Sequence, residues 1–236
     1  MIIKGFIDVS FVDWDGHVVS VIWTPGCNFR CPFCFNKTLV LNPDSLPDVS
    51  EEYILGFLER NRGLLDGLCI TGGEPTLQQD LNGFCSKVKK LGLRVKLDSN
   101  GSNPQALEQL ISSGLADFIA LDIKAPLNIE SYRRAIGVQS EEYVGKIMES
   151  IRLLMGSKID YEFRTTIVPN LHGEFEVEQI CKTIKGAKKY VLQAYSPRDP
   201  IDPAFKDVEP PSQSFMLQLA KIASKYVEKV SVRRIS

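Results

Sequence analysis

The sequence CNFRCPFCFN occupies residues 27–36 and contains three of the six cysteines in this 236-residue chain. Cys27, Cys31 and Cys34 follow a C-x3-C-x2-C spacing, directly after an apolar run at residues 18–23 and a Thr-Pro-Gly turn. Thiolates that lie this close together can hold a soft metal centre. The stretch therefore predicts a metal-binding loop at the end of a buried strand.

The number of cysteines bears on which metal centre the loop could hold. A structural zinc site normally has four protein ligands, and neither His17, across a predicted strand, nor His172, far downstream, is an obvious fourth. A [4Fe–4S] cluster usually takes four cysteines, so three leave one iron open to an outside ligand, as an enzyme needs and an electron carrier does not. The spacing favours such a cluster, with a structural zinc or thiol cluster as the alternative.

The loop resembles the signature of the radical S-adenosylmethionine (radical SAM) enzymes, in which the open iron binds the amino and carboxylate groups of the methionine moiety. Three further motifs extend the resemblance over most of the chain, and their order and spacing are similar to those of glycyl-radical-enzyme activating enzymes, most nearly the activators of anaerobic ribonucleotide reductase. One departure is Phe35, where activators often have histidine, although Asn36 agrees. The motifs are TGGEP at residues 71–75, LDSNG at residues 97–101 and LDIK at residues 121–124.

Composition restricts the partners and the compartment. The chain has 28 Lys+Arg and 29 Asp+Glu, so no net basic field points to nucleic acid. No apolar run approaches the roughly 18 residues that span a bilayer, and the first residues lack the apolar region of a signal peptide. We expect a cytoplasmic protein that binds neither nucleic acid nor membrane. Cys69, Cys85 and Cys181 are isolated in apolar surroundings and are predicted to be buried thiols.

Short apolar strands that alternate with helices predict parallel βαβ units. Six such units indicate an α/β fold, an incomplete (β/α)6 barrel or partial TIM barrel, which the resemblance also implies, with one domain over residues 1–236. The proline-rich segment at residues 196–211 is predicted to be a long exposed loop that could close the site or meet a partner. The predicted strands are a lead-in strand within residues 1–14, then 18–23, 68–71, 94–97, 118–123, 161–168 and 190–194; helices are predicted from about residue 50 and near 77–91, 104–113, 129–135, 141–154 and 212–226.

Polar residues recur at the carboxyl ends of the predicted strands, where parallel barrels collect their active-site residues. Gly72 and Gly73 let the backbone approach a ligand closely, and Glu74 supplies an acceptor for an ammonium group; a tight turn with Glu74 in the first turn of a helix is the alternative. The resemblance implies that this segment binds the methionine amino group. It also implies that Phe33 borders the adenine.

The next two motifs supply acceptors and a cation. Asp98 can accept hydrogen bonds from ribose hydroxyls, whereas Ser99 and Asn100 could belong to the same cofactor contact or could cap the next helix. Asp122 and Lys124 share a strand face, so a buried ion pair is the alternative to a ligand contact. The resemblance places Asp122 and Lys124 beside the methionine carboxylate, and Asp98, Ser99 and Asp122 could also hold a monovalent cation.

Two later strands carry further candidates. Arg164 could offer its planar fork to a carboxylate inside the barrel, or could form an internal salt bridge with Glu162. Gln193 shares a face with Tyr195 near the end of a strand, so we assign it to the cofactor site, with core packing as the alternative. His172 lies in a predicted loop and is expected to be a surface residue.

The resemblance implies the chemistry as well. A reduced [4Fe–4S] cluster cleaves SAM to methionine and a 5′-deoxyadenosyl radical, which removes a hydrogen atom from the substrate. The implied oxidoreductase forms a glycyl radical on a partner enzyme, anaerobic ribonucleotide reductase, and takes its electron from a flavodoxin- or ferredoxin-type donor. It needs no acid, base or nucleophile of its own, so no catalytic residue is predicted. The alternatives are a small-molecule enzyme similar to the 7-carboxy-7-deazaguanine synthases, and a non-enzymatic metal-binding or electron-transfer module.

Overall fold

Eight strands form one sheet in the computed structural model, which describes residues 1–233. Their order in the sheet follows their order in the chain; β1 pairs antiparallel with β2, and every later neighbour is parallel. Within residues 1–233 no ladder joins β1 to β8, so the sheet is not closed. The strands are β1 (Gly5–Ser10), β2 (Val19–Thr24), β3 (Gly67–Gly72), β4 (Arg94–Ser99), β5 (Phe118–Asp122), β6 (Asp160–Ile167), β7 (Lys189–Ala194) and β8 (Lys229–Arg233).

The helices lie between the strands and begin at residues suited to that position. Ser50, Asn128 and Ser212 each accept a hydrogen bond from a backbone N–H in the first turn of the helix that follows, which satisfies a donor that the helix leaves unpaired. The helices are α1 (Lys37–Leu41), α2 (Glu51–Asn61), α3 (Leu81–Lys90), α4 (Pro104–Ser112), α5 (Ile129–Ile136), α6 (Glu142–Gly156), α7 (Glu174–Thr183) and α8 (Gln213–Ala223), with 3-10 turns at Pro43–Ser45, Pro75–Leu77 and Pro203–Asp207.

The incomplete barrel of parallel strands is confirmed, and each of the six predicted parallel strands is present. Three elements were not predicted: the five-residue helix α1, helix α7 and strand β8. Helix α7 carries charged residues through its first turns, and β8, of sequence KVSVR, is a partly exposed edge strand, so neither has a strong apolar pattern. The helix predicted from residue 77 begins at Leu81, because a 3-10 turn occupies residues 75–77.

The two faces of the sheet differ in chemistry. The outer face packs its apolar side chains against the helices in a continuous core, while the inner face has a small apolar cluster around Trp14 and Val21. Below this cluster, buried Glu162 near the amino end of β6 is paired with Lys189 at the start of β7 and with Arg233 at the end of β8. The other inward-facing polar groups lie toward the opposite end of the barrel, at the carboxyl ends of the strands. No helix within residues 1–233 is long and apolar enough to cross a membrane.

Candidate active site

A cavity of about 260 Å³ opens at the carboxyl ends of the parallel strands. Because every βα connection of a parallel sheet starts at this end, residues from six strands, β2 to β7, converge on it. Every residue predicted for the site lines this cavity: Cys27, Cys31, Phe33, Cys34, Gly72, Gly73, Glu74, Asp98, Ser99, Asn100, Asp122, Lys124, Arg164 and Gln193.

The cysteine loop, residues 24–36, is held in place by segments far away in the chain. Gly73 N donates to Thr24 O at 2.9 Å, and Glu74 N donates to Gly26 O at 2.8 Å. Arg30 N donates to Ile136 O at 2.7 Å, at the end of α5. The side chain of Asn36 donates to Gly72 O at 3.0 Å. These contacts fix the loop between β3 and α5 and so determine where its three sulfurs lie.

Gly72 and Gly73 are required by this backbone contact. Gly72 has φ +131, and a Cβ at either glycine would collide with main-chain atoms: those of Thr24 for Gly72, and those of Gly26 for Gly73. The sequence predicted that the pair lets the backbone approach a ligand; the close approach that the structure shows is to the cysteine loop. The glycines still line the cavity.

Of the three thiols in the loop, that of Cys31 is buried, and those of Cys27 and Cys34 are half-buried. Burial raises the pKa of Cys27 to about 11 and that of Cys31 to about 12, while the Lys124 ammonium acts in the opposite direction on both. Phe29 N donates to Cys27 Sγ at 3.3 Å. The thiolates would thus need a strong positive partner, and a metal centre supplies one.

This arrangement fits a multi-iron cluster better than a single metal ion. Across residues 1–233, no three Cys, His, Asp or Glu side chains converge on one point as the ligands of one ion must. A cluster has no such requirement, because each cysteine binds a different iron and the cluster itself separates the sulfurs.

Glu74 is completely buried, with 0% of its surface exposed. Its Oε1 accepts from Thr76 Oγ1 at 2.6 Å, from Thr76 N at 3.1 Å and from Ser99 Oγ at 2.9 Å, and its Oε2 accepts from Asn100 N at 2.6 Å. Burial nevertheless raises the pKa of this carboxyl, and no cationic side chain of residues 1–233 forms a salt bridge with it. Glu74 therefore begins the predicted turn and also presents negative charge that a bound cation would stabilise.

A buried ionic network occupies the centre of the cavity floor. The Arg164 guanidinium donates from Nε to Asp122 at 2.8 Å and from Nη1 to Asp98 at 3.1 Å, while Lys96 and Lys124 donate to the outer oxygens of the same two carboxylates. Burial alone would raise the pKa of Asp122, but Arg164 and Lys124 outweigh burial and hold it far below its usual range. The predicted Asp122–Lys124 ion pair is present.

This network bears on two possibilities that the sequence left open, a salt bridge from Arg164 to Glu162 and a monovalent cation at Asp98, Ser99 and Asp122. Arg164 does not pair with Glu162, because Glu162 lies two residues earlier on β6 and is engaged at the other end of the barrel. The position between Asp98 and Asp122, suggested for a monovalent cation, is spanned by Arg164 itself, and Ser99 donates to Glu74 instead.

The segment at residues 196–211 is docked on the cysteine loop. Ile201 N donates to Cys34 O at 3.1 Å, and Asp202 N donates to Pro32 O at 2.9 Å. The rings of Phe33 and Phe205 lie 6.4 Å apart between their centroids. The predicted exposed loop therefore has one face anchored at the edge of the site, consistent with the suggestion that it could close the site.

His172 is buried, contrary to the prediction of a surface residue. Its Nδ1 accepts from Val168 N at 3.0 Å, so the proton of the neutral ring must be on Nε2, which donates to Lys124 O at 2.9 Å. Burial lowers the pKa of His172 to about 4. The imidazole thus stays neutral at pH 7. It links the end of β6 to the backbone of Lys124, whose ammonium group lines the cavity.

Sequence reasoning missed some of the cavity wall. Asp13 comes from the connection between β1 and β2, and Trp23 and Thr71 are paired neighbours on β2 and β3. The alternation of side chains along β2 could have indicated Trp23, since it follows the inward-facing Val21 by two residues. Nothing in the sequence indicates that Asp13 folds back into the barrel.

Comparison with known proteins assigns the family. A sequence profile described as the Radical SAM superfamily matches residues 21–185, which include the cysteine loop and most of the cavity. The chain belongs to the radical SAM superfamily. The cofactors of this superfamily, and so of this chain, are a [4Fe–4S] cluster and S-adenosylmethionine.

Two relatives of this radical SAM chain differ in what their names describe. A protein of Methanocaldococcus jannaschii named "Putative glycyl-radical enzyme activating enzyme MJ1227" is 34% identical over 239 residues, which cover 100% of this chain and 97% of the relative. A 7-carboxy-7-deazaguanine synthase of Archaeoglobus fulgidus is 25% identical over 175 residues, which cover 71% of this chain and 69% of that enzyme.

Solved structures share the radical SAM fold with this chain. TYW1 with a lysine-pyruvate adduct has a TM-score of 0.64 at 18% identity, covering 88% of this chain and 73% of TYW1. Streptococcus suis SuiB bound to the precursor peptide SuiA has a TM-score of 0.68 at 12% identity, covering 92% of this chain and 48% of SuiB. At these identities the likeness concerns the fold.

Proposed function

We propose that this radical SAM enzyme is a glycyl-radical-enzyme activating enzyme whose protein substrate is an anaerobic ribonucleotide reductase. The observation that carries the proposal is the similarity to the Methanocaldococcus jannaschii protein, which extends over the full chain and nearly the whole relative. A flavodoxin- or ferredoxin-type protein would supply the electron. The localisation that goes with this proposal is cytoplasmic.

Cys27, Cys31 and Cys34 would hold the cluster in this proposal. Cys31 is buried and the other two are half-buried, which limits contact with water. Lys124 opposes the rise that burial causes in the pKa of all three thiols, so it offsets part of the negative charge of the thiolates. When bound, the reduced cluster and SAM together supply the radical chemistry that removes a hydrogen atom from the substrate. The residues of the chain would position the cofactors and the substrate, balance their charges and exclude solvent from the site.

The proposed SAM contacts follow from charge. Buried Glu74 has acceptor capacity and no protein cation, so it suits the methionine amino group. Lys124 suits the methionine carboxylate, and Asp98 suits the ribose hydroxyls, with Arg164 holding Asp98 and Asp122 at a fixed separation. In the same proposal Ser99, Gly72 and Gly73 support Glu74 and the cysteine loop, and Phe33 borders the adenine.

The remaining part of the cavity wall would receive the substrate. Gln193, paired in register with Thr166 across β6 and β7, is half-buried, and we find no hydrogen bond for its amide within residues 1–233. Amide and hydroxyl groups of this kind can bind the main chain of a peptide, which carries one donor and one acceptor per residue. We therefore expect Gln193 to contact the glycine-containing segment rather than SAM.

Replacing Glu74 with glutamine tests the amino-group contact. Glu74→Gln should weaken SAM binding by about 10- to 100-fold, because a charge-assisted hydrogen bond contributes about 1.5–3 kcal/mol. Equilibrium dialysis with radiolabelled SAM measures this, and the iron content should stay at the parental value. Glu108→Gln, on the exposed side of α4, is the matched control and should bind SAM normally. Normal SAM binding by Glu74→Gln would mean that Glu74 is a turn residue only.

The protein substrate is tested by mixing the reduced enzyme, SAM and the anaerobic ribonucleotide reductase of the same organism without oxygen. We expect a glycyl radical on the reductase, seen as an EPR doublet that collapses when the glycine is deuterated at Cα. Deuterium should then be found in 5′-deoxyadenosine. The control omits the reductase and should give no protein radical.

The second candidate is an enzyme that acts on a small molecule, favoured by the 25% identity to a 7-carboxy-7-deazaguanine synthase. That candidate predicts no radical on the reductase and turnover of the small-molecule substrate of such a synthase. This result would change the assigned substrate from a protein to a small molecule, and the assignment of the cluster and SAM site would stay as it is. SAM cleavage with neither substrate would contradict both candidates.

A further inference from the structure

Asn100 joins the cysteine loop to Glu74 from one position just after β4. Its backbone N donates to Glu74 Oε2 at 2.6 Å. Its side-chain Nδ2 lies 3.8 Å from Cys27 Sγ and 2.9 Å from Asn28 Oδ1. One residue therefore contacts both the carboxylate proposed for the SAM amino group and a sulfur proposed for the cluster.

The orientation of the Asn100 amide is fixed by its neighbours. Its Oδ1 accepts from Ser102 N at 2.9 Å, and a backbone N–H can only donate, so the NH₂ group must face Cys27. Asn28 is oriented in the same way, since its Nδ2 donates to Ser102 Oγ at 2.8 Å and its Oδ1 accepts from Asn100. Asn100 is 5% exposed, so water does not compete for the donor.

Asn100 is also distinct from the other donors around the sulfurs. Within the described part of the chain, it is the one residue whose side-chain nitrogen donates to the sulfur of Cys27, Cys31 or Cys34. The remaining donors are backbone N–H groups, which every residue type supplies. The identity of residue 100 can therefore change the electrostatics at Cys27, while the backbone hydrogen bonds that hold the loop to Gly73, Glu74 and Ile136 are kept.

We propose that Asn100 is a positioning residue that raises the reduction potential of the cluster through its hydrogen bond to Cys27. A donor aimed at a thiolate sulfur withdraws charge from it, and this stabilises the reduced cluster, which carries one more electron, relative to the oxidised one. The proposal rests on Cys27 being a cluster ligand, as in the proposed function. It does not depend on the identity of the substrate.

The experiment is an EPR-monitored redox titration of the reconstituted enzyme without substrate. In Asn100→Ala, the ratio of reduced to oxidised cluster at a fixed potential should fall about tenfold, which is a midpoint lower by about 59 mV for one electron. Asn100→Asp keeps the acceptor for Ser102 N and removes the donor to sulfur, so its midpoint should also fall. Asn103→Ser is the matched control, since it keeps a side-chain cap for α4 and does not reach Cys27; its midpoint should equal the parental value.

The outcomes separate this inference from the proposed function. An unchanged midpoint in both Asn100 variants, with full iron content, would overturn the inference alone. Loss of iron from both variants would also overturn it, because Asn100 would then be needed to build the site rather than to set its potential. A cluster that survives in Cys27→Ala would instead contradict the ligand assignment in the proposed function.

Discussion

Cys31→Ala protein should hold no [4Fe–4S] cluster after anaerobic reconstitution, whereas the parental protein should hold about four irons per chain. Cys31 is the most buried thiol of the loop, and Cys27 and Cys34 cannot replace it because each would bind its own iron. Iron analysis and the visible absorption of iron–sulfur clusters measure the loss. Cys27→Ala and Cys34→Ala should behave in the same way.

The matched control is Cys85→Ala. Cys85 is more buried than any of the loop cysteines and lies on α3, in the core between the sheet and the helices. Its removal should leave the iron content unchanged. The cluster assignment would be abandoned if the parental protein took up one zinc per chain and showed no iron–sulfur absorption after reconstitution.

Arg164→Met should have the largest effect on stability. The substitution leaves Asp98 and Asp122 buried without the guanidinium that lies between them, although Lys96 and Lys124 remain. Removal of one partner from a buried ionic network costs about 3 kcal/mol or more. For a chain of this size that corresponds to a melting temperature lower by about 6–12 °C. Thermal unfolding followed by circular dichroism at pH 7 measures the change.

The loss should depend on pH in a direction set by the two carboxylates. In the parental protein the pKa of Asp122 is held far below its usual range, so the network contributes stability above about pH 4 and loses it as the pH falls. Without Arg164, burial raises the pKa values of Asp98 and Asp122. Both carboxylates are then protonated more easily in acid, which removes the unpaired buried charge that destabilises the variant. The difference between the variant and the parental protein should therefore be larger at pH 7 than at pH 4.

Lys146→Met is the control for loss of one positive charge. Lys146 pairs with Glu142 on the surface of α6, so its removal should cost about 0.5 kcal/mol or less at either pH. Equal destabilisation by the two substitutions would show that net charge, and not the buried network, determines the effect of Arg164→Met.

The sequence was sufficient to predict the fold and to bring the candidate residues to one cavity, because both depend on local patterns. Apolar strands such as residues 68–71 show the buried parallel sheet directly, and parallel strands bring their carboxyl ends together whatever the details of packing. Cys27, Glu74 and Asp122 could therefore be placed in one cavity although they are far apart in the chain.

The partners of each side chain could not be predicted, since they depend on which neighbours the fold brings within hydrogen-bonding distance. Glu162 and Arg164 share a strand face, but they are two residues apart along β6 and have different partners. Arg164 pairs with Asp98 and Asp122, whereas Glu162 pairs with Lys189 and Arg233. His172 is buried because the turn after β6 directs its ring at Lys124 O, a contact between segments 48 residues apart. β8 lacks a clear apolar pattern because it lies at the edge of the sheet.

The contacts of the cysteine loop bear on whether the motif can be transplanted. A peptide that spans residues 24–36 carries all three thiols, yet it lacks Gly73 N, Glu74 N, Ile136 O and Ile201 N, which hold the loop in this chain. These groups come from three distant parts of the sequence and assemble only when the sheet does. We expect such a peptide, or the same loop grafted onto an unrelated scaffold, to bind iron without a fixed geometry, so the motif is not a portable module.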